Sequence, residues 1–168
     1  MKKSLLLTSI MAFFVLLTGC STSQATQAEK AERRIRVAQA VADSLRQQTF
    51  TIEVSYVNPQ RMRSRNLSYG YDLQVRNGEV IESNLPFFGE VRRAEYGSQS
   101  GLNFTDKIAQ YQSGRLKKDG YFVELVVQRR LEVLFYRIEV FDNGRASVMV
   151  NSDNRDSMHF MGEMIVGD

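Results

Sequence analysis

Apolar and polar residues alternate at every second position, again and again, between Phe50 and the C-terminus. This pattern narrows what the chain can fold into more than any other feature. Successive side chains of an extended strand point to opposite faces, so the alternation buries one face of a sheet and leaves the other wet. Phe50, Ile52, Val54 and Tyr56 alternate with Thr51, Glu53 and Ser55. The longest run sets Leu67, Tyr69, Tyr71, Leu73 and Val75 against Ser68, Gly70, Asp72, Gln74 and Arg76. Tyr121, Val123, Leu125 and Val127 repeat the pattern, and Met158 to Val166 reads as a last strand after the polar turn Asn151 to Asp156.

Two Asn-Gly pairs mark hairpins, because both residues tolerate the positive φ that tight turns require. The first, Asn77-Gly78, leads into a short strand at Val80 to Ser83. The second permits a choice of register. A two-residue loop at Asn143-Gly144 would set Phe141 opposite Ala146, Glu139 opposite Val148 and Arg137 opposite Val150. A three-residue loop, Asp142-Asn143-Gly144, pairs Val140 with Ala146, Ile138 with Val148 and Tyr136 with Val150, all apolar. A slip of one residue flips a whole face, so the second register is expected, with Gly144 in the left-handed region.

Before the strands, Ala28 to Gln48 has helical periodicity. Ala31, Ile35, Ala38, Val41, Ala42 and Leu45 make a stripe of small apolar residues suited to packing on a sheet. The expected fold is mainly β: one N-terminal amphipathic helix, then a seven- to eight-stranded antiparallel meander. Such a meander hides its edges by closing as a lipocalin-like barrel or curved sheet. A two-layer helix-on-sheet domain is the alternative. Leu85 to Gly120 is less regular, with weak strands expected near Val91 and Phe104.

The first residues belong to a different physical problem. Lys2-Lys3 precede an apolar stretch, Leu5 to Leu17, of about 13 residues, short for a bilayer span and suited to a signal-peptide core. It ends in Leu17-Thr18-Gly19-Cys20, the pattern of a bacterial lipobox, and Cys20 is the only cysteine. Residues 1–19 are therefore expected to be a lipoprotein signal peptide and 20–27 a lipidated cysteine with a flexible tether. A single β-rich domain with its N-terminal helix then fills 28–168. Removing the signal takes away two of the 22 basic residues and none of the 19 acidic ones, leaving a net charge of +1. A nearly neutral domain makes no electrostatic case for nucleic acid.

Catalytic motifs are thin. Ser152-Asp153-Asn154 matches one motif of penicillin-binding enzymes, but their S-x-x-K and K-T-G partners are missing. Asn151 to Asp156 places oxygen side chains as a calcium loop does, yet Asp156 and Gly162 stand where that loop needs glycine and glutamate. A solvated turn is expected there. His159, the single histidine, reads as an exposed strand residue. Arg61, Arg63 and Arg65 form a short basic strip that reads as a solvated loop. No catalytic residue, cofactor or metal ligand is expected, and the chain is read as not an enzyme. The unusual stretch is Leu85-Pro86-Phe87-Phe88-Gly89, whose adjacent rings point opposite ways on an extended chain. Phe87 and Phe88, with Tyr69, Tyr71 and Tyr96, are the candidate contacts for an apolar ligand or a partner.

Those residues also carry a resemblance. Leu85-Pro86-Phe87-Phe88-Gly89, Gly101-Leu102-Asn103-Phe104, Phe141-Asp142-Asn143-Gly144-Arg145-Ala146 and Asn151-Ser152-Asp153-Asn154-Arg155, with Gly162 beyond, resemble the Bacteroidetes lipoprotein family called domain of unknown function 4251. The likeness runs from about Phe50 to the end. It implies a cell-envelope location and a β-rich fold, and brings no activity, cofactor or catalytic residue. In lipoproteins of that group an acidic cluster after the cysteine marks export to the surface. The polar, uncharged Ser21 to Gln27 implies instead a domain facing the periplasm. The expected role is a small binding or accessory module, anchored to a membrane through lipid on Cys20, that holds an apolar or amphiphilic ligand. A protein-partner scaffold, a stress-related lipoprotein and an envelope hydrolase are the alternatives.

Overall fold

The computed structural model describes residues 21–68, 70–93 and 101–166. The chain divides into two units, Met1–Arg36 and Val37–Asp168, and helix α1 (Ser21–Arg46) runs from the first into the second. In the first unit the helix already includes the segment expected to be a tether. That segment contains no Gly or Pro to stop a helix. Residues 26–36 are exposed, including Ala31 and Ile35, which the periodicity assigns to the buried side. Glu29, Lys30, Glu32, Arg33, Arg34 and Arg36 leave this stretch little apolar surface to bury.

In the second unit, Val41 and Leu45 enter the core and Val37 packs against it. Burying Val41 and Leu45 stabilises the fold by roughly 1.5–3 kcal/mol each. Gln48 then turns at φ 53 and its carbonyl accepts the Gly78 N–H at 2.9 Å. The exit of the helix is thereby fastened to the first Asn-Gly turn, where Asn77 and Gly78 both have positive φ as expected.

The described strands are β1 (Phe50–Pro59), β2 (Arg65–Asn66), β3 (Asp72–Arg76), β4 (Val80–Leu85), β5 (Leu102–Lys107), β6 (Gln110–Arg115), β7 (Gly120–Gln128), β8 (Val133–Phe141), β9 (Arg145–Ser152) and β10 (Met158–Met164). All their pairings are antiparallel. They form one sheet in the order β5-β4-β3-β1-β10-β9-β8-β7-β6, with β2 beside β1. Its two ends, β5 and β6, are joined only by Ile108 and Ala109. Laid flat, nine strands would separate those ends by about 38 Å, at about 4.8 Å per strand. Three Cα steps reach at most about 11 Å. The sheet must curl until its ends meet, and it does so as a half-barrel. The ends share no hydrogen-bonded ladder, but Arg129 Nε, after β7, donates to Asp106 Oδ2 of β5 at 3.0 Å.

Among the described residues the architecture is mainly β with one helix, as the alternation implies, and the sheet takes the curved form. The second hairpin has the all-apolar register, Val140 opposite Ala146, Ile138 opposite Val148 and Tyr136 opposite Val150, with Gly144 at φ 85. Other expectations need correction. The longest alternating run yields only the short β3, because Gly70 adopts φ 97 and interrupts the extended backbone. In β1 the inward set runs Phe50, Ile52, Val54 and then Val57, not Tyr56. A bulge between Val54 and Tyr56 inserts one residue and reverses the faces. Gly162 sits opposite that bulge, where an added Cβ would lie 1.9 Å from the Glu53 carbonyl oxygen. Val91 makes only an isolated bridge to Arg155, and Phe104 lies in β5. The unexpected β6 carries no alternation beyond Tyr111.

Candidate functional site

Three of the segments named above meet at Arg155. Its Nε and Nη2 donate to Glu132 Oε2 and Oε1 at 2.7 and 2.6 Å, and its Nη1 donates to the Gly101 carbonyl at 3.4 Å. The guanidinium carbon stands 4.9 Å from the centroid of the Phe87 ring. Glu132 also accepts from Ser152 Oγ at 3.2 Å and Arg129 Nη1 at 3.4 Å. On either side of Arg155, Asn154 bonds both backbone groups of Arg93, and Asp156 Oδ2 accepts the Glu90 N–H at 3.0 Å. Glu132, Asn154, Arg155 and Asp156 are all buried. The expected solvated turn is therefore a buried polar knot, stable because its charges and amides satisfy one another away from water. Sequence alone cannot show it, since Glu132 lies 23 positions from Arg155.

Of the predicted ligand contacts, Phe87 lies against this knot, and Phe88 and Tyr71 are also among the described residues. Phe87 and Phe88 take different arginines: Arg155 lies over Phe87, and Arg65 over Phe88 at 4.3 Å. Both rings, and Tyr71, are partly buried and packed against the core. Tyr69, Tyr96 and Cys20 lie outside the described residues. The basic strip is divided, for Arg61 pairs with Glu90 at 3.1 Å and reaches Asp156 at 3.5 Å while Arg65 covers Phe88.

A second site lies on the outer face of the sheet. The inward set Leu134, Tyr136, Ile138 and Val140 turns Phe135, Arg137 and Glu139 outward. Cross-strand pairing aligns Gln110, Val126, Phe135 and Asn151 in one row and Gln112, Glu124 and Arg137 in the next. Together they line a groove of about 510 Å³. Phe135 is 47% exposed there. Arg137 is held between Glu139 at 3.1 Å and Glu124 at 2.5 Å. Hydrogen bonds to Glu139 and then Glu124 raise its pKa further.

A model of the family described as Domain of unknown function (DUF4251) matches residues 32–164. The chain belongs to this family. A crystal structure of a DUF4251 family protein from Bacteroides eggerthii DSM 20697 is similar in fold, with a TM-score of 0.60 at 14% identity, over 77% of this chain and 87% of that one. No curated protein matches.

In this DUF4251 domain the groove residues escaped sequence reasoning because three hairpin registers are needed to assemble them. One signal was available: in Leu134-Phe135-Tyr136 at least one large side chain must face outward. His159 is half-buried, not exposed, with Nε2 2.8 Å from Ser147 Oγ. Inside the half-barrel, the hydroxyls of Ser83 and Tyr136 are buried without a hydrogen bond of good geometry. Burial pushes the Tyr136 phenol above its usual range, and the neighbouring Ser83 and Arg155 offset part of that rise. Among the described residues, no three His, Cys, Asp or Glu side chains gather as metal ligands do, and no helix is long and apolar enough to cross a membrane.

Proposed function

We propose that this DUF4251 domain is a binding module of a bacterial cell envelope, anchored to a membrane by lipid on Cys20, facing the periplasm, and engaging its ligand through the outer groove of β6–β9. The supporting observation is the exposed Phe135 beside the doubly paired Arg137. An exposed aromatic ring beside polar groups held in place gives a ligand an apolar contact together with groups that fix its orientation. Phe87 and Phe88, by contrast, already carry arginines and pack on the core. The anchor is tested by fractionating cells that make the full chain or its Cys20→Ser variant. The variant should leave the membrane fraction, and retention there would defeat the anchor. The binding role is tested by thermal shift of the full chain against soluble lipids and glycans, with Phe135→Ala alongside. A response lost in that variant supports the groove.

An envelope hydrolase is the second reading, favoured by one observation, the 2.8 Å approach of Ser147 Oγ to His159 Nε2. Both residues stand on the outer face, on paired strands whose N–H groups are engaged in the sheet, which gives little for an oxyanion to bind. Turnover of an activated ester that disappears in Ser147→Ala would promote this reading.

A further inference from the structure

We infer that the outer groove takes a short glycan, an inference that rests on the groove being the binding face. A sugar ring shows an apolar C–H face and a rim of hydroxyls, each able to donate and to accept. The groove offers the complement of both. Phe135 and Val126, neighbours across β8 and β7, form an apolar platform. Around it stand three amides, Gln110, Gln112 and Asn151, which donate and accept as hydroxyls do. Glu124 adds an acceptor and Arg137 a donor.

The same lining argues against other ligand classes. An acyl chain needs a continuous apolar wall, and here amides interrupt it on both rows. Leu125 and Tyr136, which also border the groove, point inward and are buried. A phosphate needs a cation with charge to spare, whereas Arg137 is matched by both Glu124 and Glu139. Those carboxylates also hold the guanidinium in place before any ligand arrives, which lowers the ordering cost of binding. The volume, about 510 Å³, lies within the small-molecule range of roughly 300–1,000 Å³. Rows from adjacent strands repeat about every 4.8 Å, so a chain of rings laid across β6–β8 meets a polar group at each strand.

The test is calorimetric titration of the detergent-solubilised full chain with chito-, cello-, malto- and manno-hexasaccharides, and separately with lysophospholipid. At least one hexasaccharide should bind, and Phe135→Ala and Gln112→Ala should each weaken it by about tenfold, as loss of a central contact does. Both side chains are exposed, so these variants should fold, which circular dichroism checks. Binding that Phe135→Ala leaves unchanged overturns the site. Lysophospholipid binding lost in Phe135→Ala, with no glycan binding, overturns the ligand class and leaves the binding-module reading standing. Silence from both glycans and lipid overturns the inference and the groove reading together.

Discussion

Arg155 and Glu132 close a two-pronged ion pair with both side chains buried, joining the segment after β9 to the connection between β7 and β8. Removing one partner strands the other charge away from water. Arg155→Met should lower unfolding free energy by about 3–5 kcal/mol, and Arg155→Met with Glu132→Leu should recover part of that loss. Urea denaturation of the three proteins measures it. Equal losses in the single and double variants would mean that the pair does not act as a unit.

The contact of Gly162 with the β1 bulge gives a sharper steric prediction. A methyl group there would meet the Glu53 carbonyl at 1.9 Å, and backbone cannot yield as a side-chain tip does. Gly162→Ala should cost about 3 kcal/mol. Hydrogen exchange should quicken along β1 and β10 first. An unchanged melting temperature would mean that the bulge relaxes.

Alkaline stability should follow Tyr136. Burial raises its folded pKa above the ordinary 10.0, so the folded state holds the proton more tightly than the unfolded chain does. This contribution is intact below about pH 10 and is lost as the pH climbs beyond it. Tyr136→Phe should flatten the alkaline fall in stability. Near pH 7 it should change stability by no more than about 1 kcal/mol, because the hydroxyl it removes has no good partner. Part of the alkaline fall should remain, since burial also raises Tyr111. Chemical denaturation from pH 7 to 11 checks both limbs.

Arg129, just after β7, ties that strand's exit to β5 through an ion pair with Asp106 that is about one-third exposed on both sides. Its contribution to global stability should therefore be about 1 kcal/mol or less. Its local effect should be larger: Arg129→Ala also removes the cation over Phe104, 4.2 Å away. Amide exchange in β5 should accelerate while β8 and β9 stay protected. Uniform acceleration would place Arg129 in the global core instead.

Much of the strand layout was legible because alternation and turn chemistry are local. The register of the second hairpin followed from one question, whether Ile138 meets Val148 or Arg137 meets Val150. The three-residue loop by itself requires a positive φ at Gly144. Local reasoning failed where geometry overrode pattern: at Gly70, which cuts the longest run, and at the bulge after Val54, which hands the core from Tyr56 to Val57. The candidate site was least legible, because Gln112, Glu124 and Arg137 become neighbours only through two strand pairings.

Spacing between near neighbours and short strings of residues were enough for the β-rich class, the helix, the register of the second hairpin and the family. Tertiary structure alone decided that β1 lies between β3 and β10, that the sheet curls until β5 and β6 meet, and that Asn154, Arg155 and Asp156 are buried. It also decided that Phe135 opens onto a groove of amides. Each of these depends on what a distant segment places opposite a residue, and a charge is solvated or buried according to that partner and not its own identity.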